Sequence, residues 1–166
     1  ATLAAISNGA RNGVLFKGGV HLEHLSALKL LAVDKTGTLT EGAPVVTDVI
    51  VREDLNKEKV ISILASIESQ SNHPLAQAIT KYAKEHSIEI LSGIEIEDVP
   101  GWGLNATIDG NTFTVGKPEF VGREESQTFA NQSAETLAEE GKTVIFMKDG
   151  SGIAALVALK DTVREE

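Results

Sequence analysis

Asp34 is the residue of this 166-residue chain best placed for covalent chemistry. It closes an apolar run, and the four residues after it, Lys35-Thr36-Gly37-Thr38, supply a cation, two hydroxyls and a flexible glycine. An aspartate can attack a phosphoryl group to form an acyl phosphate. Lys35 and the backbone N–H groups of such a loop can hold the phosphate oxygens, and Mg²⁺ would offset the charge repulsion. The competing reading is an aspartate that starts a turn by hydrogen-bonding its own backbone.

A second group of residues points to a ligand. His73 precedes Pro74, which opens a helix, so its ring can project near that helix's N-terminus, beside Glu68 from the end of the preceding helix. It reads equally as a local capping residue. Gly101 and Gly103 flank Trp102, a pattern that marks a turn or lets a ligand approach bare backbone. Lys117 is open to a phosphate or to solvent. Glu140-Gly-Lys-Thr143 imitates the end of a phosphate-binding loop, but that loop needs glycine at 136, where the chain has threonine. Gly141 then reads as a helix stop and Lys142 as a solvated side chain. His21 and His24 share a helix face without an evident third ligand, so they make no metal site.

These residues need elements to position them. The opening residues to Gly13 have helical spacing, VLF at 14–16 reads as a short strand, and HLEHLSAL as a short helix. Leu28 to Val33 is short and almost wholly apolar, which predicts a buried strand of the parallel type with Asp34 at its carboxyl end, where open α/β sheets bind ligands. VVTDVIV reads as a strand. Asn56 is placed to cap a helix running from Lys57 to about Gln70, and Pro74 starts another. IEIEDV, LNATI and TFTVG read as three strands, the last two joined through Asp109-Gly110. Residues 126–140 form a helical pattern, and TVIFMK and GIAALVAL a final hairpin. The stretch from about 45 to 158 is therefore an α+β unit, an antiparallel sheet flanked by helices.

The string Asp34-Lys-Thr-Gly-Thr-Leu-Thr40 resembles the phosphorylation motif of the P-type ATPases. Ser71-Asn-His-Pro-Leu75, Gly101-Trp-Gly103 and Val115-Gly-Lys-Pro118 resemble the heavy-metal branch of that family, as do the lead-in GVLFKGGVHLEHL and the closing LKDTVREE. The resemblance implies a nucleotide-binding domain at 45–158, inserted into a partial haloacid dehalogenase-like α/β phosphorylation domain that holds 1–44 and resumes at 159–166. It implies that Asp34 accepts the ATP γ-phosphate, with Lys35 and Thr36 beside it and Asp34 and Thr36 toward Mg²⁺. It also implies that His73 packs against adenine, that Glu68 accepts from the purine amino group, and that Gly101, Gly103 and Gly116 form the nucleotide wall. The expected partners are ATP or ADP and the remaining phosphorylation, actuator and transmembrane domains of the same pump. The chain would then be a monomeric cytoplasmic part of a plasma-membrane protein, without transport of its own. The Lys17-Gly-Gly lead-in looks more like the divalent zinc, cadmium or cobalt group than the copper group. The alternative is a regulatory or scaffold domain that keeps the fold without nucleotide affinity.

Composition agrees with a globular domain, with 42% apolar and 23% charged residues. A net charge of −9 disfavours nucleic acid and anionic lipid as partners. The absence of cysteine removes disulfides, thiolate metal sites and thiol nucleophiles.

Overall fold

The computed structural model describes residues 1–130 and 133–163, excepting the side chains of Lys35 and Thr36. The chain divides into two compact units, residues 1–34 and the remainder. Among the described residues, no helix is long and apolar enough to cross a membrane.

The first unit holds two helices, α1 (Thr2–Arg11) and α2 (Gly19–Ser26), neither of which buries a residue. Gly13 at φ +77° follows α1, close to the expected stop. Residues 14–16 form no strand. The larger departure is at Leu28 to Val33, which forms no strand either and is exposed throughout, Leu30 to 86%. A parallel-type strand is stable only with neighbours on both edges and cover on both faces. Among the described residues nothing in this unit supplies a second strand, so the apolar run stays irregular.

The second unit is a six-stranded antiparallel sheet in the order β1-β6-β5-β4-β3-β2. Its strands are β1 (Thr40–Val51), β2 (Glu95–Val99), β3 (Gly103–Ile108), β4 (Asn111–Gly116), β5 (Thr143–Asp149) and β6 (Gly152–Val163). β6 is an interior strand, between β1 and β5, and Ile153 to Leu159 are all buried. Alternate residues serve opposite faces: Ala155, Val157 and Leu159 pack in one core, and Leu156 and Ala158 in another. Cover on both faces is why this antiparallel strand reads as continuously apolar.

The first core is closed by α3 (Lys57–Glu68) and α4 (Pro74–Glu85), through Val60, Leu64, Ile67 and Ile79. Asn56 caps α3 as expected, its side chain accepting from the Lys59 N–H at 3.0 Å. The second core lies under α5 (Pro118–Val121), α6 (Arg123–Ala130) and α7 (Ser133–Glu139). The helical pattern expected over 126–140 is met by α6 up to Ala130 and by α7 from Ser133, and Gly122 at φ +118° separates α5 from α6 ahead of it. Residues 131 and 132 of that expected helix lie outside the described residues. Asp109 and Gly110, at φ +50° and +79°, make the tight β3–β4 turn predicted for them.

Candidate nucleotide cavity

The cavity starts from the two helix ends that the sequence places in succession. α3 ends at Glu68, and after a short loop His73 caps α4, its Nδ1 accepting from the Leu75 N–H at 3.2 Å. With Nδ1 accepting, the ring's other nitrogen is the donor, and His73 is exposed. The capping role and a ligand role are therefore compatible: one ring edge serves the helix, and the rest of the imidazole is free to meet a ligand.

The facing wall comes from the sheet. Val99 to Trp102 form a turn closed by the Trp102 N–H donating to the Val99 carbonyl at 2.9 Å. Pro100 and Gly101 occupy its central positions, and Gly101 has φ +81°, the pairing a type II turn requires. A Cβ on Gly101 would meet nothing within 4 Å, so its face is open. Gly103 and Gly116 differ. They are directly paired across β3 and β4. A Cβ on Gly103 would overlap the Val115 carbonyl oxygen and lie 2.8 Å from the Gly116 Cα. A Cβ on Gly116 would lie 2.5 Å from the Trp102 carbonyl oxygen. These two glycines let two strands close up behind the turn, whereas Gly101 leaves space in front of it. The Lys117 ammonium donates to the Gly101 carbonyl at 2.9 Å and braces the turn.

Glu68, His73, Gly101, Gly103 and Gly116 thus line one cavity of about 370 Å³, within the size range of small-molecule sites. Sequence reasoning missed the contributions of Asp98 and of Thr143, Val144 and Ile145 to the same cavity. Their signal lay in strand register, since β5 reaches the site by pairing Phe146 with Gly116. Trp102 also lines it and is 51% exposed.

Glu68 is the unusual group. It is 7% exposed, and among the described residues no donor reaches its carboxylate. Burial pushes its pKa up to about 7. Lys142, expected in solvent, is instead half-buried and bonds Asp48 at 2.8 Å and Glu140 at 2.7 Å.

Asp34 is exposed and belongs to the first unit. The roles expected of Lys35 and Thr36 fall on side chains outside the described residues. Residues Lys35–Leu39 form one wide helical turn with Gly37 at φ +77°. Thr40 is buried, accepts from the Gly37 N–H at 3.1 Å, and donates to the Asp161 carboxylate at 2.5 Å. The other Asp161 oxygen accepts from the Ala43 N–H at 3.1 Å. The paired ends of β1 and β6 are thereby clasped next to the phosphorylation-like string. Among the described residues, no three His, Asp or Glu side chains are grouped to hold a metal ion.

A family model of haloacid dehalogenase-like hydrolases matches residues 28–166. The zinc-transporting ATPase of Bacillus subtilis is 43% identical over the whole chain, which covers 26% of that protein. The crystal structure of a zinc-transporting PIB-type ATPase in its E2.Pi state superposes with a TM-score of 0.74 at 29% identity, over 99% of this chain and 26% of that one. The catalytic domain of the CPx-ATPase CopB-B, solved in a study of conformational changes upon nucleotide binding, gives 0.68 at 25% identity, over 97% and 54%. The chain spans about a quarter of the length of the curated relative.

Proposed function

The chain belongs to the haloacid dehalogenase-like hydrolases, and from that premise we propose that it is the ATP-binding part of a heavy-metal cation-exporting P-type ATPase. The observation that carries the reading is the convergence of Glu68, His73 and Gly101 from three separate segments on one cavity. Adenine lies in that cavity, packed against His73, with its amino group donating to Glu68. The bare backbone at Gly101 admits the sugar-phosphate portion to close approach. Residues 45–158 act as the nucleotide domain, while 1–44 and 159–166 belong to the phosphorylation domain, the crossings riding on the β1–β6 pair.

In the whole pump an Asp34 carboxylate oxygen attacks the γ-phosphorus, the bond to the β–γ bridging oxygen breaks, and ADP leaves, giving an aspartyl phosphate. A single exposed carboxylate fits a magnesium ion that brings water and phosphate ligands of its own, not one caged by protein. Bound Mg²⁺ would neutralise phosphate charge, with Asp34 and Thr36 as its protein ligands. The release of aspartyl phosphate energy drives export of a divalent cation of the zinc, cadmium or cobalt type, which makes this chain a cytoplasmic part of a plasma-membrane protein.

The test uses the longer protein with γ-labelled ATP. Acid-stable label that disappears in Asp34→Asn and falls in His73→Ala is expected. Label unchanged in Asp34→Asn contradicts the proposal. A scaffold domain of the same fold would show neither labelling nor nucleotide binding.

A further inference from the structure

Placing an acid rather than an amide at Glu68 has a chemical consequence. The residue is 7% exposed, lines the cavity, and among the described residues its carboxyl receives no hydrogen bond. The titratable groups that share the cavity are His73 from the start of α4, Asp98 from β2 and Lys117 after β4; β5 contributes none to the lining. The Lys117 ammonium is held by the Gly101 carbonyl. Desolvation alone accounts for the raised pKa of Glu68, which sits at about 7. Both protonation states are therefore within reach near neutrality.

The two states recognise different bases. An ionised carboxylate has only acceptors, whereas a neutral carboxyl sets an O–H donor beside a carbonyl acceptor. Adenine presents an amino donor beside a ring-nitrogen acceptor, the complement of the neutral acid. Guanine, on its N1–H and amino edge, presents two donors side by side, the complement of the ionised form.

We propose that Glu68 selects the base as its neutral acid, donating its O–H to an adenine ring nitrogen while its carbonyl oxygen accepts from the amino group, so that adenine binding takes up a proton from solvent. The inference rests on the nucleotide reading above and adds to it a proton-linked preference for adenine over guanine.

Calorimetric titration of the chain with adenosine and with guanosine tests it, since neither nucleoside carries a phosphate that titrates. The adenosine association constant is expected to fall about tenfold from pH 6 to pH 8, following one proton with a pKa of about 7. The heat should depend on the buffer's ionisation enthalpy, while guanosine binding should not fall over the same range. Glu68→Gln keeps a donor beside an acceptor, and it should bind adenosine with little pH dependence. Any slope it retains belongs to His73, Asp98 or Lys117. Adenosine binding that is flat from pH 6 to 8 in the unmodified chain, with no buffer-dependent heat, overturns this inference and leaves the nucleotide reading standing. Absence of nucleoside and ATP binding at every pH overturns both. The buffer comparison needs no variant, so it stands even where Glu68→Gln fails to fold.

Discussion

Leu28–Val33 and Ile153–Leu159 are both short runs of nearly unbroken apolar residues, yet one is exposed and irregular and the other is a buried stretch of an interior strand. Composition does not separate them; neighbours do. β6 pairs with β1 on one edge and β5 on the other, and helices cover both faces. The first run has no such ladder among the described residues of its unit. An apolar run is thus a demand for burial, and what meets the demand lies elsewhere in the chain.

Substitutions sharpen that contrast. Leu156 is 0% exposed, and Leu156→Ala should cost about 3 to 4 kcal/mol in urea unfolding. Leu30→Ala, at an 86% exposed position, should change stability by less than ~0.5 kcal/mol. Equal costs would break the comparison.

The next effect is pH-dependent. Glu68 has a folded pKa of about 7 against an ordinary value of 4.5. Because the folded value is raised, its contribution to stability is intact below about pH 4.5, is lost as pH rises toward 7, and stays lost above it. The loss is on the order of 3 kcal/mol, from about 1.4 kcal/mol per pKa unit. Glu68→Gln should therefore raise Tm more at pH 8 than at pH 5, and thermal unfolding at the two pH values measures this.

Two glycines divide fold from site within the same wall. Gly103→Ala drives a methyl into the β4 backbone and should cost about 2 to 3 kcal/mol. Gly101→Ala meets open space and should cost about 1 kcal/mol for its left-handed backbone. Its main effect should be on ATP binding, read by calorimetry on folded protein. Smallest is the α3 cap: Asn56→Ala should lose about 1 kcal/mol in urea unfolding.

Local signals in the sequence carried much of the second unit. The Asn56 cap, Pro74 and the Asp109-Gly110 turn between β3 and β4 each act over a few residues, so they could be read without the fold. The cavity was legible through His73 and Gly101, which lie in short motifs, and through Glu68, which the family resemblance places beside His73. Thr143 to Ile145 were not, because they enter the cavity through strand pairing over a long sequence separation. The same limit applies to Asp161, whose clasp on Thr40 joins residues from opposite ends of the unit. Leu28–Val33 departs from expectation for the converse reason: its local pattern is strong, and among the described residues of its unit no second strand pairs with it.

The central claim is that a nucleotide occupies the cavity between the α3–α4 loop and the β2–β3 turn. Titrating ATP into isotopically labelled chain and following backbone amide resonances tests it most directly. Saturable shifts centred on Glu68, His73, Gly101 and Gly116, with Leu30 and Asn56 unmoved, are the predicted result. No shift at those residues at millimolar ATP, with the chain folded, would contradict it.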